Sequence, residues 1–406
     1  MSRELLTLEV GPVAHGGHCV ARHDGRVVFV RHALPGETVR AALTDAGGSA
    51  TFWRADAVDV IEPSSDRVES VWPAAGPGGV GGGELAHVSL PAQRRWKAEV
   101  VAEQLRRLAH LELEVVVDAA PGETDGLGWR TRVELVAGGD GRAGMHRFRS
   151  HEIVALDAMP LAVSGMDVEA LLRRTWTPGA RLTATAPVGG DAPLVLVDGL
   201  PATDRGPDLR PTARRAVREV ADVAGRTYRW RVAGDGFWQV HRAAPAVLAQ
   251  AVVDAVGDRV GATVVDLYSG AGLFTLPLAD AVGPQGAVIA VEGDERAIKD
   301  SRRNVHDHPQ VTLHQGAVID VLASGSVSRA DVVVLDPPRV GAGRAVVEAV
   351  AGLGPDRVVY VACDPAALAR DLAYFAGHGY ALSGLRALDL FPMTHHVECV
   401  AVLDRV

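Results

Sequence analysis

Residues 1–62 alternate short apolar runs with turn residues: "LLTLEV", "HCVAR", "RVVFVRHA", "TVRAALT" and "ADAVDVIE" are separated by punctuation such as "HDG" and "LPGE". Short strands at this spacing predict a small barrel or sandwich. The stretch "VWPAAGPGGVGGGE" at 71–84 is too rich in Gly and Pro for helix or strand and reads as a loop or linker. In "LPAQRRWKAEVVAEQLRRLAHL", Trp96, Val100, Leu105 and Leu108 recur at near-helical spacing among Arg94, Arg95, Arg106 and Arg107, which predicts an amphipathic helix over about 91–112. Strand-like runs return from about 118 to 232, with an arginine-containing helix expected around 211–224. From about 245 onward the runs "ATVVDLYSG", "GAVIAVEGD", "VTLHQGA", "ADVVVLDPP" and "RVVYVACD" alternate with helical stretches. That alternation predicts an α/β parallel sheet covered on both faces. The chain therefore divides on pattern into a small β-barrel (1–63), a β-rich central region (64–232) and a Rossmann-like domain (233–406), with the 91–112 helix expected to pack on the last.

Composition narrows the class. A hydrophobic content of 48% is ample for packed cores. The start "MSRELLTLEVGP" carries charges where a signal peptide needs an apolar core, and there is no uncharged apolar run of about 18 residues. Cys19, Cys363 and Cys399 are widely spaced and form no C-x-x-C pair, so they build neither a disulfide framework nor a cysteine-rich metal site. We expect a cytoplasmic protein with no membrane association. The net charge of −9 argues against a surface coated in nucleic acid, although local cationic clusters remain open. Lys97 and Lys299 are the only lysines.

"VVDLYSGAGLFTLPLA" places Gly270 and Gly272 between a strand and a helix, where bare backbone can turn tightly and approach a ligand. Glu292 closes the next strand, in position to accept hydrogen bonds from the ribose hydroxyls of an adenosine. A dinucleotide competes for this site, but the third glycine of G-x-G-x-x-G is replaced by Thr275, and the D-x-x-x-G-x-G form beginning at Asp266 favours S-adenosylmethionine. A turn that needs glycine for its own sake is the bland alternative. In "VVVLDPPRVGAG", two prolines fix the chain after Asp336 and aim it at the carboxyl edge of the sheet, where ligands collect. A helix-capping role is the plain reading of that aspartate. The D-P-P step also resembles the loop of exocyclic-amine methyltransferases, but Arg339 stands where their aromatic platform would be.

Cys363, in "VVYVACDPAALARDL", ends one strand beyond Asp336, and the helix that follows is expected to favour its thiolate. A buried structural cysteine is the alternative. Near the C-terminus, "DLFPMTHHVECVAVL" places Glu398 in an apparent strand, on the same face as His396. A solvent-facing edge would explain that acid equally well.

Taken together with "GFWQVHRAAPAVL", "GWRTRVELV" and "RSHEIVALDAMPLA", these motifs resemble, in order and over nearly the whole chain, the S-adenosylmethionine-dependent RNA uracil-C5 methyltransferases. The stretch "GGHCVARHDGRVVFVRHALPGETV" resembles the OB-like accessory RNA-binding barrel called TRAM. The resemblance implies that Cys363 is the nucleophile and Glu398 the base that removes the C5 proton, with Gln239, Tyr268, Glu292 and Asp336 on cofactor-contact positions. It implies S-adenosylmethionine as cofactor and a ribosomal or transfer RNA as partner. An RNA-binding protein with an inert catalytic domain is the alternative from another class.

Two departures stand out. Many relatives with the barrel hold an iron–sulfur cluster on four cysteines; the matching positions here are Ala74, Val80, Gly83 and Met159, so no cluster and no metal are expected. The barrel segment also carries Arg3, Arg22, Arg26, Arg31, Arg40 and Arg54 against eight acidic residues, so phosphate attraction is poor overall; Arg22, Arg26 and Arg31 could line one face, and a solvated strand surface is the plain reading.

Overall fold

The computed structural model describes residues 5–45, 51–203 and 206–406; Arg3 lies outside the described residues. Strands β1 (Leu5–Ala14), β2 (His18–His23), β3 (Arg26–Arg31), β4 (Thr38–Asp45) and β5 (Phe52–Glu62) close into a barrel of order β1-β2-β3-β5-β4. Leu6, Leu8 and Val10 alternate with exposed neighbours along β1 and point inward with Cys19, Val28, Val30 and Val39. Helix α1 (Leu90–Gln104), prolonged by a wider π-type turn to Ala109, adds Ala92, Trp96 and Val100 to this core. Its Val101 and the following Leu105 belong to a core of the C-terminal sheet. One helix thus serves two cores, and each buried Val or Leu contributes about 1.5–3 kcal/mol to joining them. Leu108, expected on the apolar face, is exposed.

Beyond α1 lies β6 (Val117–Ala119). A seven-stranded antiparallel sheet of order β13-β12-β11-β10-β7-β8-β9 follows, built from β7 (Arg132–Ala137), β8 (Ala143–His146), β9 (Ile153–Ala155), β10 (Arg181–Thr185), β11 (Leu194–Val197), β12 (Leu200–Thr203) and β13 (Gly206–Pro207). The short helix α2 (Val168–Arg173) lies between β9 and β10. The helix expected around 211–224 is instead a hairpin of β14 (Ala216–Val223) and β15 (Arg226–Ala233). Val217, Glu219, Ala221 and Val223 are buried at a spacing of two, and the positive φ of Ala224 and Gly225 makes the tight turn between the strands. Arginines at 214, 215 and 218 had masked that alternation.

The C-terminal half runs α3 (Ala244–Val256), β16 (Thr263–Leu267), α4 (Thr275–Val282), β17 (Ala287–Glu292), α5 (Glu295–Asn304), β18 (Val311–Gln315), α6 (Val318–Ala323), β19 (Val332–Leu335), α7 (Gly343–Gly352), β20 (Arg357–Ala362), α8 (Pro365–Ala376), β21 (Tyr380–Asp389) and β22 (Glu398–Arg405). The sheet has the order β18-β17-β16-β19-β20-β22-β21-β6, parallel from β18 to β20, with β22 antiparallel to both of its neighbours. Its edge strand β6 comes from the region read as central. No helix among the described residues is long and apolar enough to cross a membrane.

One sequence expectation about the N-terminal half changes. Arg31 does not present a phosphate-binding face with Arg22 and Arg26: it is buried, with its guanidinium 3.6 Å over the Phe148 ring. Arg26 lies 4.8 Å over Trp53. The positions matching the absent cluster ligands lie in or against one apolar core: Val80 and Met159 are buried in it beside Trp72, and Ala74 packs against it. A Cβ on Gly83 would fall 2.7 Å from the Trp72 ring and 2.6 Å from Ala75, so only glycine lets the indole in. Carbon packing thus holds this loop, and the residues present do not fit a cluster. Trp72→Ala should destabilise the protein by about 3–5 kcal/mol, measurable by denaturant unfolding; a cost below 1 kcal/mol would mean that the loop is held elsewhere.

Candidate active site

The site is built at the carboxyl edge of the parallel sheet, where β16, β17, β19 and β20 end side by side. After β16 the chain turns through Tyr268, Gly270 and Gly272, all with positive φ (62°, 57° and 90°), before α4 begins. For Tyr268 that conformation is uncommon, so its surroundings hold it there. Trp230 of the hairpin donates its indole N–H to the Gly272 carbonyl (2.9 Å), and Asn304 donates to the Ala271 carbonyl (2.9 Å). These bonds present the turn as a rigid cradle.

Glu292 at the end of β17 reaches across the cradle, accepting the Gly270 N–H on Oε2 (2.7 Å) and the Asp294 N–H on Oε1 (2.6 Å). Asp266 is fully buried; Thr275 donates to its Oδ2 (2.5 Å), while Oδ1 has no protein partner. Burial raises Asp266 to about 7 against the Thr275 bond, and Glu292 adds to the rise. Asp336, just past β19, is raised by burial and by Asp266. Gln239 is buried on the segment that pairs with Trp129–Arg132, where the Thr131 N–H donates to the Val240 carbonyl (2.7 Å).

Cys363 follows β20, and Glu398 begins β22. The register Ala362↔Cys399 places these two residues opposite each other, one step beyond the last pair. Glu398 is buried and pairs with Leu388 on its other side. His396 precedes the strand rather than sharing its face, and its ring meets those of His395 and Phe391. Burial carries the Glu398 carboxyl well above its ordinary value, Asp336 reinforces this, and Arg339 opposes it.

The expected thiolate at Cys363 is not what the free site holds. Burial pushes the thiol up to about 12, the negative neighbours Glu398 and Asp336 add to the rise, and Arg339 opposes them. The N-terminus of α8 is already occupied by the Asp364 side chain, which accepts the Ala367 N–H (2.8 Å). Its other oxygen lies 3.0 Å from His15 Nε2, so the β1–β2 turn of the barrel touches the residue next to the thiol. Of the three free cysteines, Cys19 and Cys399 are buried and Cys363 is partly open.

Sequence reasoning brought together Cys363, Glu398 and Asp336, and separately Glu292 with the glycine turn. It missed His15, Trp230 and the Thr275–Asp266 pair; only the last had a signal, since both lie within one motif.

The chain is 46% identical, over 99% of its length and 93% of its counterpart's, to an uncharacterized RNA methyltransferase of Streptomyces coelicolor. It is 31% identical, over 100% of its length and 98% of the relative's, to the 23S rRNA (uracil(1939)-C(5))-methyltransferase RlmD of Alkalilimnicola ehrlichii. The chain belongs to the RNA uracil-C5 methyltransferase family. Within this family assignment, the tRNA (uracil-5-)-methyltransferase profile matches residues 325–406, the TRAM domain residues 1–52 and the methyltransferase small domain residues 244–352. Its fold is that of the Pyrococcus abyssi tRNA (uracil-54, C5)-methyltransferase solved in complex with S-adenosyl-L-homocysteine: TM-score 0.68, 22% identity, 97% of this chain and 99% of that one. As a member of this family, the chain is an S-adenosylmethionine-dependent RNA methyltransferase.

Proposed function

We propose that the protein transfers a methyl group from S-adenosylmethionine to C5 of a uridine through a covalent bond between Cys363 and C6. The observation that carries this reading is the pairing of a half-open thiol with a buried carboxyl across one strand register, beside a glycine cradle. Asp266, Asp336, Glu398 and Cys363 crowd together, and Arg339 opposes the rise at Glu398 and Cys363 alone. Such a pocket favours a cationic ligand, which a sulfonium is.

In the proposed sequence Cys363 gives its proton to water and its sulfur adds to C6, while the C5=C6 pair becomes C4=C5 and the C4=O pair moves onto oxygen as an enolate. Gln239, Tyr268, the Gly270–Gly272 cradle, Glu292 and Asp336 would hold S-adenosylmethionine, whose methyl group C5 would take with the enolate pair as the sulfonium S–CH3 bond breaks and leaves the neutral thioether. Glu398 then takes the C5 proton; that C–H pair reforms C5=C6 and expels the sulfur. The uridine must leave its stack to enter the crevice, which favours an unpaired loop.

We place the enzyme in the cytoplasm and its target in ribosomal RNA, the substrate named for the relative at 31% identity. A transfer RNA is the second reading, supported by the fold neighbour. Incubating the enzyme with labelled S-adenosylmethionine and separated RNA pools should yield 5-methyluridine in the ribosomal fraction. Label in transfer RNA alone would move the target, and label on an exocyclic amine would overturn the chemistry.

The cradle is tested by binding. A carboxylate that accepts ribose hydroxyls contributes about 1.5–3 kcal/mol, so Glu292→Ala should weaken S-adenosylmethionine about tenfold to a hundredfold in calorimetric titration. An unchanged Kd would remove Glu292 from the site.

A further inference from the structure

Glu398 begins its strand directly after the irregular segment 390–397, so whatever fixes that segment fixes the carboxyl. The fixing groups come from α1, about 300 residues earlier. Lys97 Nζ donates to Asp389 Oδ1 (2.5 Å) and to the Phe391 carbonyl (3.0 Å). The Phe391 carbonyl also accepts from Thr394 Oγ1 (2.8 Å), and that hydroxyl in turn accepts the His396 N–H (3.2 Å). One turn before Lys97, Gln93 Oε1 accepts the Met393 N–H (2.8 Å), while its amide donates to the Leu85 and Val88 carbonyls. Met393 itself sits at φ 66°, a conformation that its surroundings must impose. Asp389 ends β21, and its neighbour Leu388 pairs with Glu398. The segment is therefore tied at both ends and in its middle.

The Lys97–Asp389 pair has side chains 0% and 1% exposed, and Asp389 Oδ2 has no protein partner. Taking both charges out of water costs several kcal/mol per ion, and an apolar pair of similar volume generally stabilises a fold as well or better. Stability alone is a poor reason to find a lysine there, whereas geometry is a good one. The ammonium can hold a carboxylate and a backbone carbonyl at once, which no apolar side chain does.

We propose that Lys97 and Asp389 are positioning residues for Glu398, setting the carboxyl at the point where the C5 proton is removed. This rests on the reading of Glu398 as the base. The proposal separates the steps of turnover: addition of Cys363 and methyl transfer depend on β20 and the glycine cradle, whereas release depends on the clamp.

A single-turnover experiment with full-length protein, labelled S-adenosylmethionine and unmodified RNA resolves the steps, because label first enters a denaturation-resistant protein–RNA adduct and then leaves as free methylated RNA. In Lys97→Met, label should enter the adduct at close to the parental rate, and release should slow about 10- to 100-fold, as expected for a misplacement of about 1 Å. The double variant Lys97→Met/Asp389→Leu, which leaves no buried charge unpaired, should fold at least as stably by thermal melting and still release slowly. Release at the parental rate from the folded double variant would overturn the proposal, as would equal slowing of adduct formation and release. Glu398→Gln is run in parallel: if it builds no adduct, the reading of Glu398 as base fails, and if it does while the clamp variants do not, only the clamp fails.

Discussion

Cys363→Ala should abolish methyl transfer and adduct formation together, with a loss on the scale of about 10⁴-fold or more, as expected when a covalent nucleophile is removed. C5 of uracil is too weak a nucleophile to take a methyl group unaided, so no residual route is open to an alanine. The thiol's own behaviour gives this expectation a pH signature. Burial and the Glu398 and Asp336 carboxyls hold Cys363 at about 12, so at pH 8 only about one enzyme in 10⁴ carries the thiolate, against roughly a quarter for an ordinary thiol near 8.5. The group is raised, so the reactive form grows as pH rises. Alkylation of Cys363 by iodoacetamide in the free enzyme should accelerate about tenfold per unit across pH 8–11, without the plateau near 9 that an unperturbed cysteine shows. Mass spectrometry of the labelled peptide reads this directly. A plateau below 10 would mean that the helix terminus, and not the carboxyls, governs the sulfur.

That sulfur also marks where sequence reasoning stops. The position of Cys363 at a strand's end before a helix was legible, because an apolar run followed by D-P-A-A-L leaves little other choice. Its protonation was not, because Asp364 caps the helix and two of the three nearby carboxyls come from distant strands. The same contrast runs through the fold. The parallel sheet declared itself through five apolar runs with helical spacers, and the barrel through its turns, whereas the 216–233 hairpin was misread because charged residues alternate with its apolar ones. Lys97 and Asp389 lie 292 residues apart and belong to no periodic pattern; only packing reveals that they meet. Domain boundaries blur for a related reason. The outermost strand β6 precedes the central sheet in sequence yet completes the catalytic one, and α1 is shared between two cores.

Glu398→Gln should leave the first half of the reaction largely intact and stall the second, so that methylated RNA remains bonded to Cys363. The amide keeps the size and burial of the carboxyl but cannot take a proton, and a positioned base contributes on the order of 10²–10⁴ in rate. Release should slow by that factor while entry of label into the adduct changes much less. The wild-type carboxyl is held well above its ordinary value by burial and by Asp336, with Arg339 opposing. Its working form is the ionised one, so release in the wild type should slow as pH falls and the carboxyl retains its proton. In Glu398→Gln that dependence should disappear, since no group remains at 398 to titrate. Adduct abundance on denaturing gels and a release-rate profile across pH 6–9 together test the assignment. If the glutamine variant releases product with the wild-type rate and slope, another base acts on the C5 proton, and the burial of Glu398 opposite the thiol would need a structural explanation in its place.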